Sequence, residues 1–242
     1  PEPYQKRTIH GFVLGEGGVK MSKSLGNVIT PDPLIEKYGA DVVRAYMMFM
    51  GPYEGDVAWS SETINGVKRF VSKYYSFILD AWDNKKDVSD EKAHRAVAKL
   101  INRVEQNLLG LKFNTSISAL MEFYNEFNKA TFCKEDIEKL ILVVAPSLPH
   151  MAEELWSLIG HSESIFENAW PNIDEELLSE DTIEIPVQIN GKVRGRLTIG
   201  SNDTENVIRE KMLSDSALSA YFENSEIRKF IYVPRRIINV VI

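Results

Sequence analysis

The sequence predicts a multidomain, mainly α protein that ends in a small α/β domain, and three observations predict it. From Trp59 to Gly160 apolar residues recur at spacings of three and four, the mark of amphipathic helices. From Ile183 the period changes to two, on either side of an Asn190-Gly191 dipeptide. Ahead of both, residues 1–58 mix short apolar runs with dense turn signals.

In that opening segment Thr8–Leu14 reads as a strand and Gly15-Glu16-Gly17-Gly18 as a flexible loop. Pro31–Tyr38 and Ala40–Met50 read as helices parted at Gly39, with Pro31 and Pro33 at a helix entry where a missing N–H costs little. Over residues 59–160, one helical face runs through Ile64, Val67, Val71, Tyr74 and Ile78, and a second through Ala93, Val97, Leu100, Val104, Leu108 and Leu111. A third segment spans about 114–130 and a fourth 135–159, the last kinked or split by Pro146 and Pro149. Breaks near 83–90, 110–114 and 131–134 are short, so an antiparallel helical bundle of four or more helices is expected. Residues 161–182 lack periodicity and read as an acidic surface linker. Beyond it, Ile183, Ile185, Val187 and Ile189 alternate up to Asn190-Gly191, and Val193, Leu197 and Ile199 continue the pattern. Helices over 203–212 and 216–222 and strands over 227–233 and 237–242 complete a ββααββ domain over 183–242.

A chain of 242 residues buries close to ~70% of its unfolded surface and needs no metal or disulfide staple. Its single cysteine, Cys133, excludes an internal disulfide framework and a cysteine-based zinc site, and points to a reducing compartment. No apolar run reaches the ~20 residues of a membrane helix, and the first twenty residues are no signal peptide. The expectation is a soluble, cytoplasmic protein with no membrane partner. The net charge of −7 argues against a nucleic-acid partner only until it is mapped. Residues 162–184 carry eight acids and no Lys or Arg, whereas 185–242 carry nine bases against six acids. A local field decides what a polyanion meets.

The densest chemistry is Lys20-Met21-Ser22-Lys23-Ser24, beside the glycine-rich stretch and ahead of a helix. Two ammonium groups and two hydroxyls in a mobile loop suit a polyanion, since phosphoryl and nucleotidyl transfer build negative charge that movable cations stabilise. A solvated basic turn is the bland reading of a generic K-x-x-K. Gly15-Glu16-Gly17-Gly18 has the spacing of neither a P-loop nor a dinucleotide fingerprint and reads as a hinge for the loop. The string resembles the KMSKS signature of class I aminoacyl-tRNA synthetases, and the run continues as Leu25-Gly26-Asn27-Val28-Ile29, as it does in that family. Residues 33–41 resemble the helix that follows this loop in the leucyl, valyl and isoleucyl enzymes. The resemblance makes residues 1–58 the end of a catalytic fold with stem-contact helices. It implies that Lys20 and Lys23 act on ATP, with Lys23 stabilising the adenylation transition state, and that Met21, Ser22 and Ser24 complete the ATP-binding loop. The family's other signature, H-x-G-H, is absent: His10 is followed by Gly11 and Phe12, and His94, His150 and His161 are scattered. No amino-acid activation is expected of this stretch alone.

Residues 145–156 resemble the late bundle helix of the same enzymes, where the bundle is called anticodon-binding. In the hairpin, with Val193, Leu197 and Ile199 facing a core, Lys192, Arg194, Arg196 and Thr198 face outward. The bases repeat at roughly 6–7 Å, close to phosphate spacing; a charged edge strand defended against aggregation gives the same pattern. Residues 186–194 and the strands 229–233 and 237–241 are similar to the C-terminal domain of bacterial leucyl-tRNA synthetases, which grips leucine tRNA. That family often has Gly after the proline of the final turn; here Arg235 stands there, so either the turn differs or Arg235 and Arg236 join the basic face. The resemblance therefore implies the C-terminal portion of a leucyl-type enzyme, working with an N-terminal catalytic and editing portion and with leucine tRNA. ATP would be its substrate, accompanied by Mg²⁺ for which no residue here is a candidate ligand. A valyl or isoleucyl fragment, or a non-catalytic synthetase-derived tRNA-binding protein, are the alternatives. The absence of a heptad tail and of further cysteines weighs against the first two.

Overall fold

Pro31 at the first helical position starts α1 (Pro31–Tyr38), and Gly39, at a φ of +87°, turns the chain directly into α2 (Ala40–Phe49). The computed structural model describes residues 3–4, 6–178, 182–200, 203–222, 227–234 and 236–242. It divides into two units, Pro1–Asp174 and Glu175–Ile242.

In the first unit the predicted opening strand is shorter than expected. Only β1 (Val13–Leu14) pairs, in parallel with β2 (Val57–Ala58). Gly11 passes so close to Gly55 that a Cβ on it would lie 2.0 Å from the Gly55 carbonyl oxygen, so the crossing admits glycine alone. Five helices follow: α3 (Thr63–Asp83), α4 (Glu91–Leu109), α5 (Phe113–Phe127), α6 (Lys134–Val144) and α7 (Pro149–Leu158). The fourth predicted segment is thus two helices. Pro146 falls in the break, and Pro149, which has no N–H to leave unpaired, opens α7.

Tyr74, Ile78, Val97, Ile101, Leu120, Ile137, Leu140 and Leu155 are buried together, and Tyr46 and Trp59 share the same core. The opening segment is therefore packed on the bundle, with no break in packing at 58/59. The hydroxyl of Tyr74, fully buried, donates to the Leu140 carbonyl at 3.1 Å. The region read as an acidic surface linker is corrected in its first half. Ile165 is buried and Trp170 and Ile173 pack against the core, while Glu153 accepts from Ser164 Oγ (2.6 Å) and Ile165 N–H (2.7 Å). Sparse but well-placed apolar residues outweigh the surrounding acids, and the division between units falls at 174/175.

The second unit is a four-stranded sheet, β3 (Thr182–Ile189), β4 (Lys192–Gly200), β5 (Lys229–Val233) and β6 (Ile237–Val241), in the order β4-β3-β6-β5. Asn190 and Gly191 both have positive φ (49° and 78°), as a tight hairpin between twisted strands requires. The β3–β6 pair is parallel and the outer pairs antiparallel, so the edge strands β4 and β5 run in the same direction. Pro186 precedes the first β3–β6 pair, Val187–Ile238, where its missing N–H breaks no ladder on that side. α8 (Glu205–Ser214) contributes Ile208 and Met212 to a core with Ile185, Val187, Leu197, Ile199, Leu218, Ile238 and Val240. The second predicted helix, 216–222, is instead a single 3-10 turn at Ser219–Tyr221. Asp215 Oδ1 accepts from the N–H groups of Ala217 (2.9 Å) and Leu218 (3.1 Å), capping the turn that leads into this short 3-10 segment. No helix among the described residues is long and apolar enough to cross a membrane.

Candidate functional site

The Lys20–Ser24 loop leaves β1 through a glycine turn. Gly15 N–H donates to the Val19 carbonyl (2.8 Å), while Gly17 and Gly18 take φ of +75° and +77°, open to few other residues. Met21 is half-buried against the first unit's core and anchors the middle of the loop. Ser22 caps a 3-10 turn, Lys23–Leu25, its hydroxyl accepting from Leu25 N–H at 3.3 Å, and Gly26 at φ +64° ends that turn. Ser22 and Ser24 hydroxyls lie 3.2 Å apart.

One side chain ties the loop together. Asn27 Oδ1 accepts from Ser22 N–H (2.9 Å) and Asn27 Nδ2 donates to the Lys20 carbonyl (3.2 Å). Lys20 Nζ sits 4.8 Å over the Phe12 ring, a cation–π contact, whereas the ammonium of Lys23 is exposed with no ion pair among the described residues. The arrangement is a pinned turn with one exposed cation, one cation held over an aromatic ring and two neighbouring hydroxyls. Sequence reasoning quoted Asn27 only as flanking and missed Phe12; neither carries a charge, and their roles exist only in the folded loop.

Each of the four histidines has a hydrogen-bonding partner within the fold, and none joins the Lys20–Ser24 contacts described above. His94 Nδ1 is 2.8 Å from the buried Asp136, which also accepts from Ser89 Oγ. His150 Nδ1 is 2.8 Å from Asp41, and His161, stacked on Trp156 at 3.8 Å, is 2.9 Å from Glu138. His10 Nδ1 lies 2.7 Å from the Gly11 carbonyl oxygen. Among the described residues no group of three or more His, Cys, Asp or Glu side chains is placed to hold a metal ion.

The single basic stripe expected on β4 does not form. Val187 pairs with Gly195 but Gln188 pairs with Val193, so Arg194 is the extra residue of a β-bulge and the alternation slips there. Val193, expected in the core, is 57% exposed, while Leu197 and Ile199 are buried. Arg196 lies opposite Pro186 and reaches Glu184 at 3.1 Å; Arg194 turns onto the Tyr221 ring at 5.6 Å. What the topology does assemble is different. β4 and β5 both begin at the end of the sheet that carries the Asn190-Gly191 turn, as the bonds Asn190 N–H to Val240 O and Arg228 N–H to Val241 O show. Lys192 and Arg194 stand at one edge and Arg228 and Lys229 at the other, all exposed, across three strand spacings or roughly 14 Å. Arg236 is at the opposite end, in the β5–β6 turn, and Arg235 lies outside the described residues. The adjacent pair Arg228-Lys229 was a local signal that sequence reasoning passed over.

Comparison with known proteins gives concordant matches. Residues 90–209 match the family described as the anticodon-binding domain of tRNA ligase, and residues 1–60 match class I tRNA synthetases of the isoleucyl, leucyl, methionyl and valyl kinds. A leucine–tRNA ligase of Sorangium cellulosum (strain So ce56) is 41% identical over the whole chain, and one of Alkaliphilus oremlandii (strain OhILAs) is 38% identical. The chain spans 28% and 30% of the lengths of these two relatives. The crystal structure of a ternary complex of Agrobacterium radiobacter K84 agnB2 LeuRS with tRNA and LeuAMS superposes with a TM-score of 0.80 at 29% identity. It covers 96% of this chain and 33% of that one.

Proposed function

Because the chain belongs to the leucine–tRNA ligase family of class I tRNA synthetases, we propose that it supplies the ATP-phosphate loop and RNA-binding surfaces of a leucyl-tRNA synthetase. In that reading the whole enzyme forms leucyl-adenylate and pyrophosphate from leucine and ATP, then passes the leucyl group to the 3′ end of leucine tRNA. The H-x-G-H half of the active site and the editing portion belong to the rest of that enzyme, and its setting is the cytoplasm. Residues 1–58 end the catalytic fold, α3 to α7 form the anticodon-binding-type bundle, and the C-terminal sheet grips RNA.

The observation that carries this reading is the pinned Lys20–Ser24 loop with Lys23 free at its surface. When the α-phosphate of ATP is attacked by the leucine carboxylate, negative charge accumulates on the departing pyrophosphate. An ammonium able to meet those oxygens is worth most in the transition state, which raises kcat rather than merely tightening ATP. Mg²⁺ would arrive with ATP; the described residues offer no cluster to hold it, and no step here is assigned to it.

On the RNA side, the exposed cations at the hairpin end of the sheet, Lys192, Arg194, Arg228 and Lys229, are the backbone contacts in this proposal, and Arg196 and Arg236 are secondary. The test is binding of this chain to leucine, valine and isoleucine tRNAs at two salt concentrations. Preference for leucine tRNA, lost when its long variable arm is shortened, is the expected result. Weak and equal binding to all three would remove the RNA-gripping role.

A further inference from the structure

Asp41, in the first turn of α2, is buried, and its carboxylate is used three times. Oδ1 accepts from Arg44 Nη1 at 2.7 Å and lies 2.8 Å from His150 Nδ1, and Oδ2 accepts from the Met151 N–H at 2.8 Å. Two of those partners belong to α7, about 110 residues further along the chain. α7 begins at Pro149, and Leu148 before it offers no side-chain cap. Asp41 therefore caps α7 from another helix, and its negative charge sits at the helix's positive end.

Both chain segments flanking the Lys20–Ser24 loop lead back to α2. On the leaving side the loop runs through α1 and Gly39 directly into it. On the entering side β1 pairs with β2, whose continuation is held by the buried Tyr46 of α2: its hydroxyl accepts from Ser60 N–H at 2.8 Å, and its ring packs edge-on against Trp59 at 4.7 Å. Both ends of the loop are thus tied to α2, whose Val42, Ala45 and Tyr46 are buried against the bundle and whose Asp41 adds a polar tie to α7.

We infer that Asp41 is a positioning residue for the Lys20–Ser24 loop, holding the loop's supporting helices in register with the bundle through its cap on α7. The inference rests on the proposal that the loop meets ATP. A small misplacement of a positioned charge costs rate far more than it costs binding. The experiment compares Asp41→Ala and Asp41→Asn with wild type in the whole enzyme, by leucine-dependent ATP–pyrophosphate exchange, at a temperature where circular dichroism shows all three folded. Asp41→Ala is expected to lower kcat about tenfold or more with the KM for leucine unchanged, because the leucine site is not on this segment. Asp41→Asn keeps an oxygen for Met151 N–H and should fall between; it decides the matter if Asp41→Ala does not fold. A cap with a purely structural role would lower the melting temperature and leave exchange within twofold of wild type, and that result overturns the inference. Absence of exchange in the wild-type enzyme overturns the reading of the loop itself, and the inference with it.

Discussion

The backbone N–H of Ser22 and the carboxamide oxygen of Asn27 lie 2.9 Å apart, and the same carboxamide donates to the Lys20 carbonyl, so one neutral side chain closes the Lys20–Ser24 loop from within. Each bond is worth about 0.5–1.5 kcal/mol net. Asn27→Ala should therefore lower ATP–pyrophosphate exchange in the whole enzyme by roughly tenfold, about 1.4 kcal/mol, with helix content unchanged. Equal rates for Asn27→Ala and wild type would mean that the loop is held by other contacts.

Lys23 presents its ammonium to solvent, while Lys20 is occupied over Phe12. Lys23→Ala should slow adenylate formation at least tenfold, about 1.4 kcal/mol, chiefly in kcat. Unchanged exchange would take Lys23 out of the mechanism. Phe12→Ala, which frees Lys20, should have a smaller effect.

At the C-terminal sheet the bulge separates residues that the sequence placed in one row. Lys192→Ala, Arg194→Ala, Arg228→Ala and Lys229→Ala should each flatten the salt dependence of tRNA binding by nearly one unit of log–log slope. Arg196, already paired with Glu184, should change it less. Slopes equal to wild type for all four variants would return the hairpin end to an ordinary solvated edge.

Asp203 closes the turn from β4 into α8. Lys211 Nζ at 2.7 Å, and then the Gly200 N–H at 2.6 Å, hold its carboxyl below the usual carboxylate range. A carboxyl with a lowered folded-state pKa stabilises above its unfolded value, near ~3.9, and loses that contribution as pH falls through the folded value. Asp203→Asn should accordingly melt below wild type at pH 6 and converge with it in acid. Parallel melting curves across that range would show that the carboxylate contributes nothing.

In the bundle, Tyr74→Phe removes a fully buried hydroxyl bonded to Leu140 and should cost about 1 kcal/mol, a fall of ~2–4 °C in melting temperature. Burial raises the Tyr74 pKa far above its ordinary value, so this bond persists through alkaline pH. A melting temperature equal to wild type would show the hydroxyl to be energetically neutral.

The sequence by itself determined what is written in local patterns. The helical period of α3 to α5, the proline that opens α7, the Asn190-Gly191 hairpin and the Lys20–Ser24 string are each dictated within a few residues, by side-chain periodicity or by backbone dihedral preference. Tertiary structure decided the rest. The bulge at Arg194 depends on how β3 and β4 pair, and a slip of one residue moves Val193 from core to solvent, which alternation alone does not show. Where 216–222 read as a helix only a 3-10 turn at Ser219–Tyr221 forms, although Asp215 caps the chain ahead of it. Ile165 turned an apparent linker into packed chain because the core had room for it. The links Asp41 to Met151 and Arg228 to Val241 join residues far apart in sequence or on separate strands. Such contacts form only after the chain has paid the entropy of bringing distant segments together, so no short window of residues records them.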